Sequence, residues 1–141
     1  MNVIDRHAIT RGAAIGLLLY VPISAIPALL FGSINEFDHS SWAPVVALAI
    51  FLVYGIAGFV AARIAVDAPY SNGIVAAIAT FILWIPILIL IRLVRESGEG
   101  LLSGLTPARI LGQVVFAAAL GAIGGVIASR RTPVDSEPVD G

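Results

Sequence analysis

The sequence predicts an all-α polytopic membrane protein, with four transmembrane helices laid out as two tandem helical hairpins. Three observations predict it. Four long stretches, 12–31, 44–62, 73–91 and 110–128, contain no Asp, Glu, Lys or Arg; each has the length of a bilayer core; and the second half of the chain echoes the first. The 8 basic residues, all arginine, and the 9 acidic ones fall outside these stretches. Of the 141 residues 59% are hydrophobic and 12% charged, where a soluble domain carries about a quarter charged, and the mean hydropathy is +1.00. At a rise of ~1.5 Å per residue, a helix of 19 or 20 residues reaches about 29 Å, against a hydrocarbon core of roughly 30 Å. Spanning strands would be about ten residues long with alternating polarity, and these runs are apolar on every face. Four such helices inside a soluble protein of this size would leave no polar surface to meet water.

The first span follows Arg6 and Arg11, as the apolar part of a signal peptide would, but it is too long and lacks a pair of small residues for cleavage between Val21 and Ser33. It reads as a retained helix, with Asp5 as its cap. Ser41 and Trp42-Ala43-Pro44 open the second span, Ser71 and Asn72 precede the third, and Thr106-Pro107 is a cap followed by proline at the first helical position of the fourth. The connections are short. The first, 32–41, carries Glu36, Asp38 and His39; the second carries Arg63, Asp67 and Pro69; the third is rich in Gly and Ser over 97–104. Residues 1–131 form the membrane domain. The last ten, 132–141, hold Asp135, Glu137, Asp140 and two Pro-Val-Asp copies and read as a disordered acidic tail.

Arginine accumulates in cytoplasmic loops. With both termini inside, Arg6, Arg11, Arg63, Arg130 and Arg131 are cytoplasmic and Arg92, Arg95 and Arg109 are outside, which favours that orientation in the cell membrane. Arg92 and Arg95 can pair with Glu96 and Glu99 four residues on, and dual insertion is the competing arrangement.

An internal repeat accounts for the hairpins. A shift of 64 lays Leu18-Leu19-Tyr20-Val21-Pro22-Ile23 on Ile82-Leu83-Trp84-Ile85-Pro86-Ile87, and a shift of 66 lays Gly55, Gly58, Val60 and Ala62 on Gly121, Gly124, Val126 and Ala128. Two hairpins of the same orientation are expected to be related by a pseudo-two-fold axis along the membrane normal.

Within the spans, Gly55, Gly58 and Ala62 share one helix face, as do Gly121, Gly124 and Ala128, and a second row of Ala117, Gly121 and Gly125 widens the fourth helix's small-residue face. Lipid gives helices no hydrophobic reason to associate, so close backbone approach must supply the attraction, and the second and fourth spans are expected to meet here. Gln113, the most polar side chain in any span, should turn into the bundle, with Tyr20, Tyr54, Ser24 or Thr80 as neighbours. Pro22 and Pro86 each remove a helical hydrogen bond, at the carbonyls of Leu18 and Ile82, and are expected to kink their helices.

The same residues exclude functions. A net charge of −1 offers no basic surface for nucleic acid, and the absence of cysteine removes thiol chemistry and thiolate metal sites. No span carries the Asp, Glu or His of an ion-coupled pump, nor the membrane-embedded Glu of small multidrug exporters. The outer-loop group Glu36, Asp38, His39, Ser40 and Ser41 is the one constellation with chemistry, and it reads as a solvated turn; His7 is alone. With no H-E-x-x-H, G-x-S-x-G or phosphate loop, no enzyme activity, metal or cofactor is expected.

The run Gly55-Ile56-Ala57-Gly58-Phe59-Val60-Ala61-Ala62-Arg63, followed by Pro69 and by Gly73 opening the next apolar helix, resembles a family of uncharacterised small four-span integral membrane proteins of bacteria. The resemblance covers about 30 residues and implies a fold without an activity. The reading that follows is a non-catalytic accessory or assembly subunit that packs in the lipid bilayer against itself or another membrane protein. The alternative is a small homo-oligomeric channel or facilitator for an uncharged or weakly polar solute.

Overall fold

The computed structural model describes residues 4–31, 34–65, 67–94 and 105–130. Among them the protein is helical throughout: α1 (Arg6–Leu30), α2 (Ile34–Asp38), α3 (Ala43–Ile64), α4 (Pro69–Val94) and α5 (Pro107–Ser129), with no strand. The four long helices are each long and apolar enough to cross a membrane. Their outward side chains are large and apolar, Leu18, Leu52, Leu90 and Leu111 among them. This is the surface of a multi-pass membrane protein, in which lipid replaces water as the outer solvent.

Capping chemistry places the helix starts. The Asp5 carboxylate accepts from the backbone N–H groups of His7 and Ala8, and Thr106 Oγ1 accepts from that of Arg109 with Pro107 at the first position. Trp42 is the N-cap residue of α3, with no side-chain cap bond, because an indole N–H can only donate; Pro44 in the first turn removes one of the N–H groups that would need a cap. One start differs from the sequence reading. Ser71 and Asn72 do not precede the third span but lie inside α4, which begins at Pro69. Asn72 is fully buried there: its Nδ2 donates to the carbonyls of Asp67 and Ala68, and its Oδ1 accepts from the Asp5 N–H, tying the start of α1 to the α3–α4 connection.

The first loop holds one helical turn, α2, where the sequence reading had only a solvated turn. Phe37 on α2 meets Phe31 edge-on at 5.4 Å, and Asp38 reaches Arg109 at 3.6 Å. The C-terminal end of α2 is thus tied to the end of α1 and to the first turn of α5. α1 runs unbroken through Pro22 and Pro27, and α4 through Pro86. The Arg95, Glu96 and Glu99 pairing, the Gly/Ser-rich 97–104 segment and the acidic tail 132–141 lie outside the described residues.

The arrangement of the long helices corrects the expected symmetry. α3 and α4 pack on each other and on both α1 and α5, while α1 and α5 occupy the far corners. A two-fold axis exchanging the hairpins would make the α3–α4 contact equivalent to an α1–α5 contact, and only the former is close. α4 enters the groove between α3 and α5 at Gly73, where an added Cβ would stand 2.8 Å from the Gly121 carbonyl oxygen and 3.0 Å from that of Gly58. Sixty-four residues earlier α1 carries Ile9 in place of a glycine. Pairs 64 apart still meet along α1 and α4: a Cβ at Gly12 would approach Ala76, one at Gly16 would strike Thr80, and Tyr20 lies 5.0 Å from Trp84 between ring centroids.

Candidate functional site

Two features inside the bundle carry the residues singled out in the sequence: a seam of small residues and a polar cluster. The seam joins α3, α4 and α5 toward the end of the bundle where α1 begins. A Cβ at Gly58 would lie 2.5 Å from the Gly121 carbonyl oxygen and 2.6 Å from the Gly121 Cα. Gly121 in turn faces α4, where its Cβ would meet the Gly73 carbonyl oxygen at 2.6 Å and Ala77 Cβ at 2.8 Å. Backbone lies on backbone here, so no side chain can move aside. Gly124 abuts the Gly55 carbonyl and the Phe59 N–H, and Gly125 faces Tyr70 and Pro69 of α4. Gly55 itself has room, with the nearest atom to an added Cβ 4.0 Å away; it serves the seam through its carbonyl. Ala62, Ala117 and Ala128 are buried beside this seam.

The polar cluster sits above it. The Tyr54 hydroxyl stands 3.3 Å from Gln113 Oε1 and 3.4 Å from the Tyr20 hydroxyl, so it donates to one or the other across α1, α3 and α5. Both distances exceed the ~2.7–2.8 Å usual between oxygens. Tyr54 is fully buried and Tyr20 nearly so, and the Tyr20 ring lies 5.7 Å from that of Tyr54. Of the four neighbours named for Gln113, Tyr54 bonds it directly and Tyr20 joins through Tyr54. Thr80 turns away, its hydroxyl donating to the Ala76 carbonyl at 2.9 Å. Ser24 Oγ, one turn past Tyr20, is buried without a hydrogen-bond partner. Pro22 lies between them on α1 and is exposed, as is Pro86 on α4.

Chemically the cluster offers hydroxyls and one amide and no carboxylate. It can accept or donate hydrogen bonds to a neutral group. Outward along α5 by one turn, Arg109 forms its half-exposed ion pair with Asp38. Asp38 belongs to the first-loop constellation, in which Ser40 Oγ also donates to the Phe37 carbonyl at 2.7 Å. Among the described residues no group of three His, Cys, Asp or Glu side chains could hold a metal ion.

The sequence reading passed over four small residues as packing positions. Gly12-x-x-x-Gly16 places α1 against α3 and α4, a Cβ at Gly12 falling 2.6 Å from the Ala57 carbonyl oxygen, and Gly73-x-x-x-Ala77 does the same for α4 and α5. The four-residue spacing of small side chains was the available signal. No protein-family model, curated protein or solved structure matches the chain.

Proposed function

We propose that the protein is a non-catalytic accessory or assembly subunit of the cell membrane, with both termini in the cytoplasm. The observation that carries the reading is the closed interior: glycine seams hold α3, α4 and α5 at backbone contact, and the polar groups at the centre bond to one another. Because the small-residue faces are consumed within one chain, the surface left for a partner is the apolar exterior. There Phe51 of α3 and Phe116 of α5 stack at 4.9 Å, with Phe116 half exposed. Glycine packing thus builds the subunit, and large side chains dock it. Affinity purification of tagged full-length protein from native membranes, after crosslinking, tests this. A distinct membrane protein, or a second copy, should be recovered in stoichiometric amount; the lone chain would refute it.

A conduit for an uncharged or weakly polar solute is the second reading, favoured by the Tyr20–Tyr54–Gln113 cluster. Flux into liposomes that changes in Gln113→Leu would establish it, and no flux over a broad panel of solutes would retire it.

A further inference from the structure

A hydroxyl inside a helix can satisfy itself locally, by donating to a carbonyl one turn back. Thr10, Thr80 and Ser129 do so here, to the carbonyls of Arg6, Ala76 and Val126 at 2.7, 2.9 and 2.9 Å. Ser24 does not. Its Oγ is buried and closes no hydrogen bond, although it stands beside the Tyr20 hydroxyl on the same face of α1. In a hydrocarbon interior an unsatisfied hydroxyl is costly.

The groups around Ser24 are under-used in the same way. The Tyr54 hydroxyl has a single hydrogen for its two neighbours, and both contacts, at 3.3 and 3.4 Å, are stretched. Gln113 carries an amide –NH2, yet among the described residues its hydrogen bonding is confined to Oε1. Hydrogens that could be donated thus outnumber the bonds that use them. A molecule that completes the group must accept from Ser24 and Gln113 and donate to the tyrosine oxygens. Water is the smallest that does both, and a buried water typically makes about three hydrogen bonds to groups of this kind. A bare anion only accepts, must shed its hydration where charge is far costlier than a dipole, and finds Arg109, the cation whose charge reaches Tyr20, already paired with Asp38.

We propose that Ser24, Tyr20, Tyr54 and Gln113 bind one water molecule, which accepts from the Ser24 hydroxyl and the Gln113 amide and donates to the tyrosine oxygens. It joins α1, α3 and α5 just beyond the glycine seam. Gln113 is half-buried and Arg109, one turn along α5, is half-exposed, so the molecule has a polar route to the α2 end of the bundle. The site suits an accessory subunit and a conduit alike, since it asks for a resident molecule and not for passage.

The test is transfer of magnetisation from water protons to the tyrosine Cζ carbons, read by solid-state NMR on the full-length protein in bilayers, deuterated except for exchangeable hydrogens and carrying carbon-13 in tyrosine. Of the three tyrosines, Tyr70 is exposed and reports solvent in every sample. Tyr20 and Tyr54 should receive magnetisation as well, and lose it in Ser24→Val, whose methyl groups take the water's place without offering a hydrogen bond. No transfer to Tyr20 and Tyr54 in the unaltered chain, with Tyr70 visible, overturns the proposal whether or not the variant folds. So does transfer undiminished in folded Ser24→Val, which would make it independent of that hydroxyl. Transfer that disappears when chloride replaces gluconate at constant ionic strength would assign the site to an anion and overturn the proposal as well.

Discussion

At single positions the structure is decided by what a side chain would displace. Gly58 lies on the Gly121 backbone and Gly121 on that of Gly73, so Gly58→Leu should separate α3 from α5, Gly121→Leu should separate α4 from α5, and each should destabilise the protein by at least about 3 kcal/mol, beyond ordinary overpacking in a yielding core; denaturant unfolding in detergent measures it. Gly55 leaves more space, and Gly55→Ala should be tolerated. Ala68 sits at φ 49°, in the left-handed region, where a Cβ costs an L-residue about 1–2 kcal/mol. Ala68→Gly should therefore raise stability, by about 0.5 kcal/mol after the added freedom of the unfolded glycine is deducted. Asn72→Ala removes bonds to the Asp5 N–H and to the carbonyls of Asp67 and Ala68 from a buried position, and should destabilise by about 1–3 kcal/mol. Gln113→Leu loses one long bond and should change stability by no more than about 1 kcal/mol.

At the scale of elements, the helices were legible because desolvated backbone must be satisfied within the segment, and charge cannot easily reside there. Asp5 and Thr106-Pro107 marked their helix starts because a cap is a local bond between a side chain and N–H groups two or three residues on. Asn72 was misread for a corresponding reason: its partners, Asp5 and the Asp67–Ala68 carbonyls, come together only once α1 folds against the α3–α4 connection. α2 was missed because a single turn has too few residues to show a period, and its ion pair is with Arg109, remote in sequence. The meeting of Gln113 with Tyr54 and Tyr20 was legible as a need for partners; which hydroxyls would answer it depended on helix rotation. The orientation is open to direct measurement. The chain has no cysteine, so Ser41→Cys and Asp67→Cys each introduce one thiol on opposite sides. In intact cells an impermeant maleimide should label position 41 and leave position 67 unlabelled until the membrane is permeabilised; the reverse pattern would invert the topology.

Over the whole molecule, the chain is a bundle turned outward, with small and aromatic residues inside and long aliphatic ones facing the surroundings. The interior is held by backbone approach at Gly58, Gly73 and Gly121, and by one hydrogen-bonded cluster. α3 and α4 form the centre of the bundle while α1 and α5 occupy its far corners, an arrangement without a two-fold relation between the first and second pairs of long helices. All of this requires that hydrocarbon surround Leu18, Leu52, Leu90 and Leu111. The most direct measurement is fractionation of cells expressing the full-length protein, with an alkaline carbonate wash and no detergent. The protein should remain in the membrane pellet and leave it only when detergent is added; recovery as a dissolved monomer in the supernatant would contradict the account.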